Sequence, residues 1–169
     1  RFAKMATGNT LDISNTSLLY VNDYAFYKLG IRNLILQNTE YIGQYTFFNN
    51  SLYKVTLSGL NHLDNYAFAN NTLLNYISLG YVSIIGEGAF YGCSNIEQMY
   101  FSTTEVDNSS NSVKISIGSN AFYNTGTTIG KRLRIYVPDG NLGTTSVTYQ
   151  QAYKNTLPTN VKDYIYPTG

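Results

Sequence analysis

Ile85-Gly86-Glu87-Gly88-Ala89-Phe90-Tyr91-Gly92-Cys93, followed by Ile96 and by Met99-Tyr100-Phe101, is the clearest copy of the unit from which the chain is built. Copies of it recur along the chain. Aligned on its Phe, they read Val21-Asn22-Asp23-Tyr24-Ala25-Phe26, Ile42-Gly43-Gln44-Tyr45-Thr46-Phe47, Leu63-Asp64-Asn65-Tyr66-Ala67-Phe68 and Ile117-Gly118-Ser119-Asn120-Ala121-Phe122. Phe26, Phe47, Phe68 and Phe90 are separated by 21, 21 and 22 positions. Self-similarity at a fixed period of this size means a solenoid, in which no unit buries its apolar side alone and stability comes from neighbour contacts.

Each unit has two parts. The second is an apolar, variable, apolar alternation: Leu11-Asp12-Ile13, Leu34-Ile35-Leu36, Val55-Thr56-Leu57, Ile77-Ser78-Leu79 and Met99-Tyr100-Phe101. Alternation of period two marks a strand with one buried face, so stacked copies build a narrow parallel sheet whose middle residues point outward. The first part carries the chain back across the other side. Gly43, Gly86 and Gly118 suit tight turns with permissive dihedrals, and Ala25, Ala67, Ala89 and Ala121 fit a short helical turn or irregular coil before the Phe. Leu52, Leu73 and Ile96 re-enter the core and close the coil.

Two places break the rhythm. A polar insertion at about 102–116 stretches the next Phe spacing to 32, from Phe90 to Phe122; an exposed loop is expected, because buried loops strand backbone polar groups. After Pro138 the repeat is abandoned. A short helix around Val147 to Tyr153 and a strand at Val161 to Tyr166 are expected there, making 138–169 a cap over the last coil of a repeat region spanning 1–137. Phe2 stands 11 positions before Ile13, as Phe90 stands before Phe101, so the first repeat reads as truncated and the chain as part of a longer protein.

These residues resemble the bacterial-surface-antigen (BspA-like) class of leucine-rich repeat, written roughly I-G-x-x-A-F-x-x-C-x-x-L-x-x-I-x-L. The copy from Ile85 to Phe101 matches nearly residue for residue, Cys93 included, and the resemblance covers about residues 2 to 137. Departures are a slightly short repeat, a Cys in one copy only, and strands mostly without Pro. The resemblance implies an α/β-type repeat solenoid from a secreted or surface-anchored protein, bacterial or from a parasitic protist, with some members acting as adhesins. Its partners would be extracellular proteins, host-derived ones among them.

Composition agrees with an extracellular setting. Charged residues are 12%, against roughly 25% in an ordinary soluble domain, and Asn, Ser, Thr and 17 Tyr take their place. A net charge of +1 leaves no footprint for nucleic acid or anionic membrane. With one cysteine no intrachain disulfide can form. Neither an apolar run of about 18 residues, as a membrane-spanning helix needs, nor a signal-peptide h-region occurs, so an export signal is expected outside this sequence.

Catalytic chemistry finds little material. Cys93 falls where the repeat turns back into the core, with Asn or Thr in its place in other copies, and reads as an inert buried thiol. His62, the only histidine, has no second ligand or triad partner at a useful spacing and is expected in an exposed turn. The acidic residues form no convincing glycosidase pair. Asp107-Asn108-Ser109-Ser110-Asn111 lacks the alternating acids and closing Glu of a calcium loop. The sequons at Asn15, Asn49, Asn70 and Asn108 bear on function only in a eukaryotic secretory host. No enzyme, cofactor or metal is expected.

What remains is the outward face of the sheet. Its middle residues are Asp12, Ile35, Thr56, Ser78, Tyr100 and Tyr136, flanked by Asn33, Lys54, Tyr76 and Gln98. The expected binding set is Ile35, Lys54, Thr56, Tyr76, Ser78, Gln98, Tyr100 and Tyr136, engaging a protein ligand, because Tyr supplies large contact area with a polar tip. A glycan stacked on Tyr76, Tyr100 or Tyr136, or a passive spacer role, are the alternatives.

Overall fold

The computed structural model describes residues 10–12, 18–142 and 145–168. The expectations placed on Phe2, Ile13 and Asn15, and on the side chain of Asp12, lie outside the described residues.

The apolar-variable-apolar triplets do form strands, one per coil. Thr10–Asp12, Asn33–Gln37, Lys54–Ser58, Tyr76–Ser78, Gln98–Tyr100, Arg134–Val137 and Ile165–Pro167 make a seven-stranded sheet in that spatial order. Every pairing in it is parallel, and equivalent residues fall in register: Leu34, Val55, Ile77, Met99 and Ile135 form one continuous inward row. All five are essentially inaccessible to solvent.

A second parallel sheet runs beside it. Tyr20–Val21, Tyr41–Ile42, His62–Leu63, Ile84–Ile85 and Ser116–Ile117 pair in sequence along the stack. Only the apolar residue at its second place was legible beforehand, since two residues are too few to show alternation. The chain then crosses in six-residue turns rather than helices. Tyr24, Phe26 and Lys28 each donate their backbone N–H to the following coil, to Gln44, Thr46 and Phe48, while Ala25 and Tyr27 close three-residue turns onto Asn22 and Tyr24. That alternation is possible because Tyr24 and Lys28 adopt left-handed backbone conformations (φ 58° and 53°). Positive φ therefore falls on Tyr24, Tyr45, Tyr66, Gly88 and Asn120, and not on Gly43, Gly86 or Gly118, where permissive dihedrals were expected. At Gly86 the constraint is proximity instead: a Cβ there would lie 2.6 Å from the backbone nitrogen of Asn65 in the preceding coil.

Inside the stack Phe26, Phe47, Phe68, Phe90 and Phe122 form a nearly parallel ring column. Beside it runs a buried polar row that satisfies backbone groups where the coil turns. Asn71 donates to the carbonyls of Phe47 and Phe68 (2.9 and 2.8 Å), and Asn50 donates to Phe26 while accepting from Leu29 and Ile31. Cys93 and Thr125 continue the row with single bonds to Phe68 and Phe90.

Three expectations need correcting. Leu73 is 48% exposed, and Leu74 takes the core position. The extra residue that lengthens the Phe68–Phe90 spacing lies before that position, so the inward place comes six residues after Phe68 instead of five. The insertion is not simply an exposed loop: Val106–Asp107 and Ser112–Val113 form an antiparallel hairpin, with Val113 and Ile115 buried. It is tied to the C-terminal helix by Thr156, which accepts from the Val113 N–H, and by Asn155, which donates to Asn111. That helix spans Tyr149–Thr156, its Thr148 side chain accepting the Gln151 N–H as an N-cap. The final strand is confined to Ile165–Pro167, after a 3-10 turn at Lys162–Tyr164.

Candidate functional site

Register brings the expected binding residues into two adjacent outward rows. One runs Asn33, Lys54, Tyr76, Gln98, Arg134; the other runs Ile35, Thr56, Ser78, Tyr100, Tyr136, Tyr166. Lys54 is exposed, and the other members of the two rows are half-buried. The side chains touch along and between the rows: Tyr100 stacks on Tyr136 in its own row with centroids 4.7 Å apart, and Tyr76 of the other row meets Tyr100 at 5.3 Å, tilted. Lys54 Nζ lies 5.0 Å from the Tyr76 ring centroid, within cation–π range. Burial, and then the neighbouring Tyr136 and Tyr76, raise the Tyr100 hydroxyl above the usual phenol range, so it stays a neutral donor at physiological pH.

Two depressions mark the face. A shallow one of 380 Å³ surrounds Ile35, lined also by Asn33, Lys54 and Thr56. The other, of 420 Å³, lies at the opposite end of the row, where Tyr76, Ser78 and Tyr100 meet Tyr81 and Asp139. Tyr81 and Asp139 escaped sequence reasoning, because each sits just past a strand and outside the alternation that singled out the others. Tyr81 is 65% exposed, and none of the ring pairs among the described residues involves it.

The strand-entry rim has its own polar link. Glu97 accepts from Lys131 Nζ and from Asn75 Nδ2, both at 2.8 Å. The hydrogen bond from Lys131 holds the Glu97 carboxyl below the usual carboxylate range, and the same contact raises Lys131.

Elsewhere the chemistry-bearing residues are structural. Cys93 is fully buried, its Sγ donating to the Phe68 carbonyl at 3.1 Å, and burial pushes the thiol up to about 12. His62 lies in a strand, half-buried, edge-on to Tyr41 at 4.9 Å, and not in an exposed turn. Tyr41 in turn donates to Asp64 at 2.5 Å, which pushes its pKa up to about 12. Among the described residues no group of His, Cys, Asp and Glu is placed to hold a metal ion, and no helix is long and apolar enough to cross a membrane.

The description "BspA type leucine rich repeat region" belongs to the family model that matches this chain, in six copies over residues 2–128. No curated protein and no solved structure shows significant similarity to it.

Proposed function

The chain belongs to the BspA-type leucine-rich repeat family, and from that premise we propose that it is a non-enzymatic adhesion module of a secreted or cell-surface protein. Leucine-rich repeats are in general protein-interaction domains, and repeats of this type are typically non-catalytic. The proposed site is the outward sheet face, with Ile35, Lys54, Thr56, Tyr76, Ser78, Gln98, Tyr100 and Tyr136 as contact residues and an extracellular protein as ligand. Residues 1–137 would form the repeat domain, with 138–169 as its closing cap. Asn160 supports the cap assignment, since it donates to the Phe122 carbonyl at the end of the Phe column.

The single observation carrying this reading is the continuity of the two outward rows across the coils. A rigid sheet holds aromatic, aliphatic and polar side chains in fixed order on a broad face, which limits the entropy lost on docking. A screen against extracellular-matrix and mucosal proteins tests it. A hit weakened by Tyr100→Ala and Ile35→Ala is expected; a hit indifferent to both would remove the sheet face from consideration.

One observation favours a glycan as a second reading: three Tyr converge on the 420 Å³ depression with Ser78 and Asp139. Tyr76 lies between Lys54 and Tyr100, and Tyr100 between Tyr76 and Tyr136. Tyr81 is then the ring left to stack on a sugar. A glycan-array signal abolished by Tyr81→Ala, with no protein hit, would put this reading first.

A further inference from the structure

The net charge of +1 conceals two faces of opposite sign. On the outward sheet face and its strand-entry rim stand Arg32, Lys54, Lys131, Arg132 and Arg134. Glu97 is the one acid there among the described side chains, and Lys131 already holds it. Asp139 lies past the strand-exit end, in the glycan-sized depression. On the flank formed by the second sheet, its turns and the hairpin beside it the balance reverses, with Asp23, Glu40, Asp64, Glu87, Glu105 and Asp107 against two cations, Lys28 and Lys114, among the described residues.

Several of these cations are held in place. Arg32 lies 5.8 Å from the Tyr53 ring and Lys54 5.0 Å from Tyr76. Arg132 lies 5.9 Å from the Tyr166 ring and donates to its hydroxyl. A charge already ordered on an aromatic face loses less freedom when a partner arrives, and exposed like charges on one face also steer an oppositely charged partner.

We propose that the ligand of this face is an acidic protein segment, bound in extended form across the strands with carboxylates on Lys54 and Arg134 and apolar side chains against Tyr76 and Tyr100. The proposal rests on the protein-binding reading above and names the partner's chemistry. Lys54 and Arg134 share one outward row, three strand spacings apart. At about 4.8 Å per spacing they lie roughly 14 Å from one another. An extended chain covers that distance in about four residues at roughly 3.3 Å each, so acids four positions apart meet both cations.

Fluorescence anisotropy of the whole chain with labelled oligoglutamate tests this, with a heparin tetrasaccharide as rival probe. The pair Lys54→Ser with Arg134→Gln is compared with Lys154→Gln and Lys162→Gln, which remove the same charge from the C-terminal segment. Oligoglutamate affinity should fall about tenfold in the first pair and little in the second. It should also weaken as ionic strength rises from about 10 mM to about 150 mM. Equal losses in both pairs would reduce the effect to net charge and overturn the proposal. A preference for heparin would assign the face to sulfated glycan. Low-salt self-association in sedimentation, abolished by the first pair alone, would make the partner's acidic face that of a second copy. If a matrix protein binds and ignores the first pair, this inference fails while the protein-binding reading stands. Oligoglutamate binding without any protein hit would be the reverse.

Discussion

Two kinds of aromatic column run through this molecule at nearly one pitch. The buried Phe rings are spaced by 5.2 to 5.9 Å. On the surface Tyr24, Tyr45 and Tyr66 stack at 5.2 and 5.1 Å, and Tyr100 and Tyr136 at 4.7 Å. The pitch follows from the backbone, since paired strands lie about 4.8 Å apart whatever side chains they carry. Stacking is therefore imposed by register in every column, and what separates them is solvent. A buried ring contributes its transfer free energy and its packing; an exposed one keeps part of its area and its hydroxyl available to a partner.

The largest effect expected from that difference is at Phe68. Phe68→Ala empties a fully buried site between two other rings and should cost about 3–5 kcal/mol in urea unfolding. Tyr45→Ala, at the middle of the exposed column, should cost about 1 kcal/mol or less. Equal losses at the two sites would break the distinction and make the outer column part of the core.

Next comes the polar row beside the Phe column. Asn71→Ala removes the donor for two buried carbonyls and an acceptor for Leu52, so about 1–3 kcal/mol should be lost. A loss near zero would mean that water replaces the amide and that the interior is less dry than the Phe column requires.

Gly88 sharpens the comparison where the outer column is interrupted. It follows Tyr24, Tyr45 and Tyr66 in the same turn position, at φ +59°, and a Cβ there would collide with the Tyr66 ring. Gly88→Ala should destabilise by about 1–3 kcal/mol through strain and crowding together. Tyr66→Ala in the same molecule should recover the crowding and leave the strain, giving measurable non-additivity in a double-mutant cycle. Strict additivity would show that the ring swings aside at no cost.

The interior was largely legible in the sequence, and the surface only in outline. Phe26 to Phe122 announce the coils because burial tolerates few substitutes at a stacked position. The triplets such as Val55-Thr56-Leu57 announce the sheet because alternation survives in three residues. Tyr41–Ile42 and its equivalents are too short to alternate, and their pairing comes from the stack. Leu73 and Leu74 are adjacent and alike, so only the placement of one extra residue decides which faces inward. For the site, Lys54, Tyr76, Tyr100 and Tyr136 were readable as outward residues of strands. Arg132, Tyr81 and Asp139 were not, because they lie in connections whose direction no periodicity reveals. The segregation of charge was equally hidden, since a sum over the chain cancels what the coil separates.

The smallest effect concerns the rim between the two surfaces. Lys131 is exposed and Glu97 partly so, so solvent screens their attraction and the pair adds little to stability. Its sign is nonetheless fixed. A carboxyl whose folded pKa is depressed contributes above its unfolded pKa and loses that contribution as pH falls through the folded value. Lys131, raised by the same contact, contributes below its unfolded pKa and loses its share as pH rises through the folded value. The pair therefore acts across the neutral range and fades at both ends. Stability measured against pH should show wild type slightly above Lys131→Ala at neutral pH, with the gap closing in acid as Glu97 protonates and again in strong base as Lys131 deprotonates. A gap that persists in acid would mean that Lys131 acts through the packing of its alkyl chain, and the rim would then belong with the core columns and not with the exposed face.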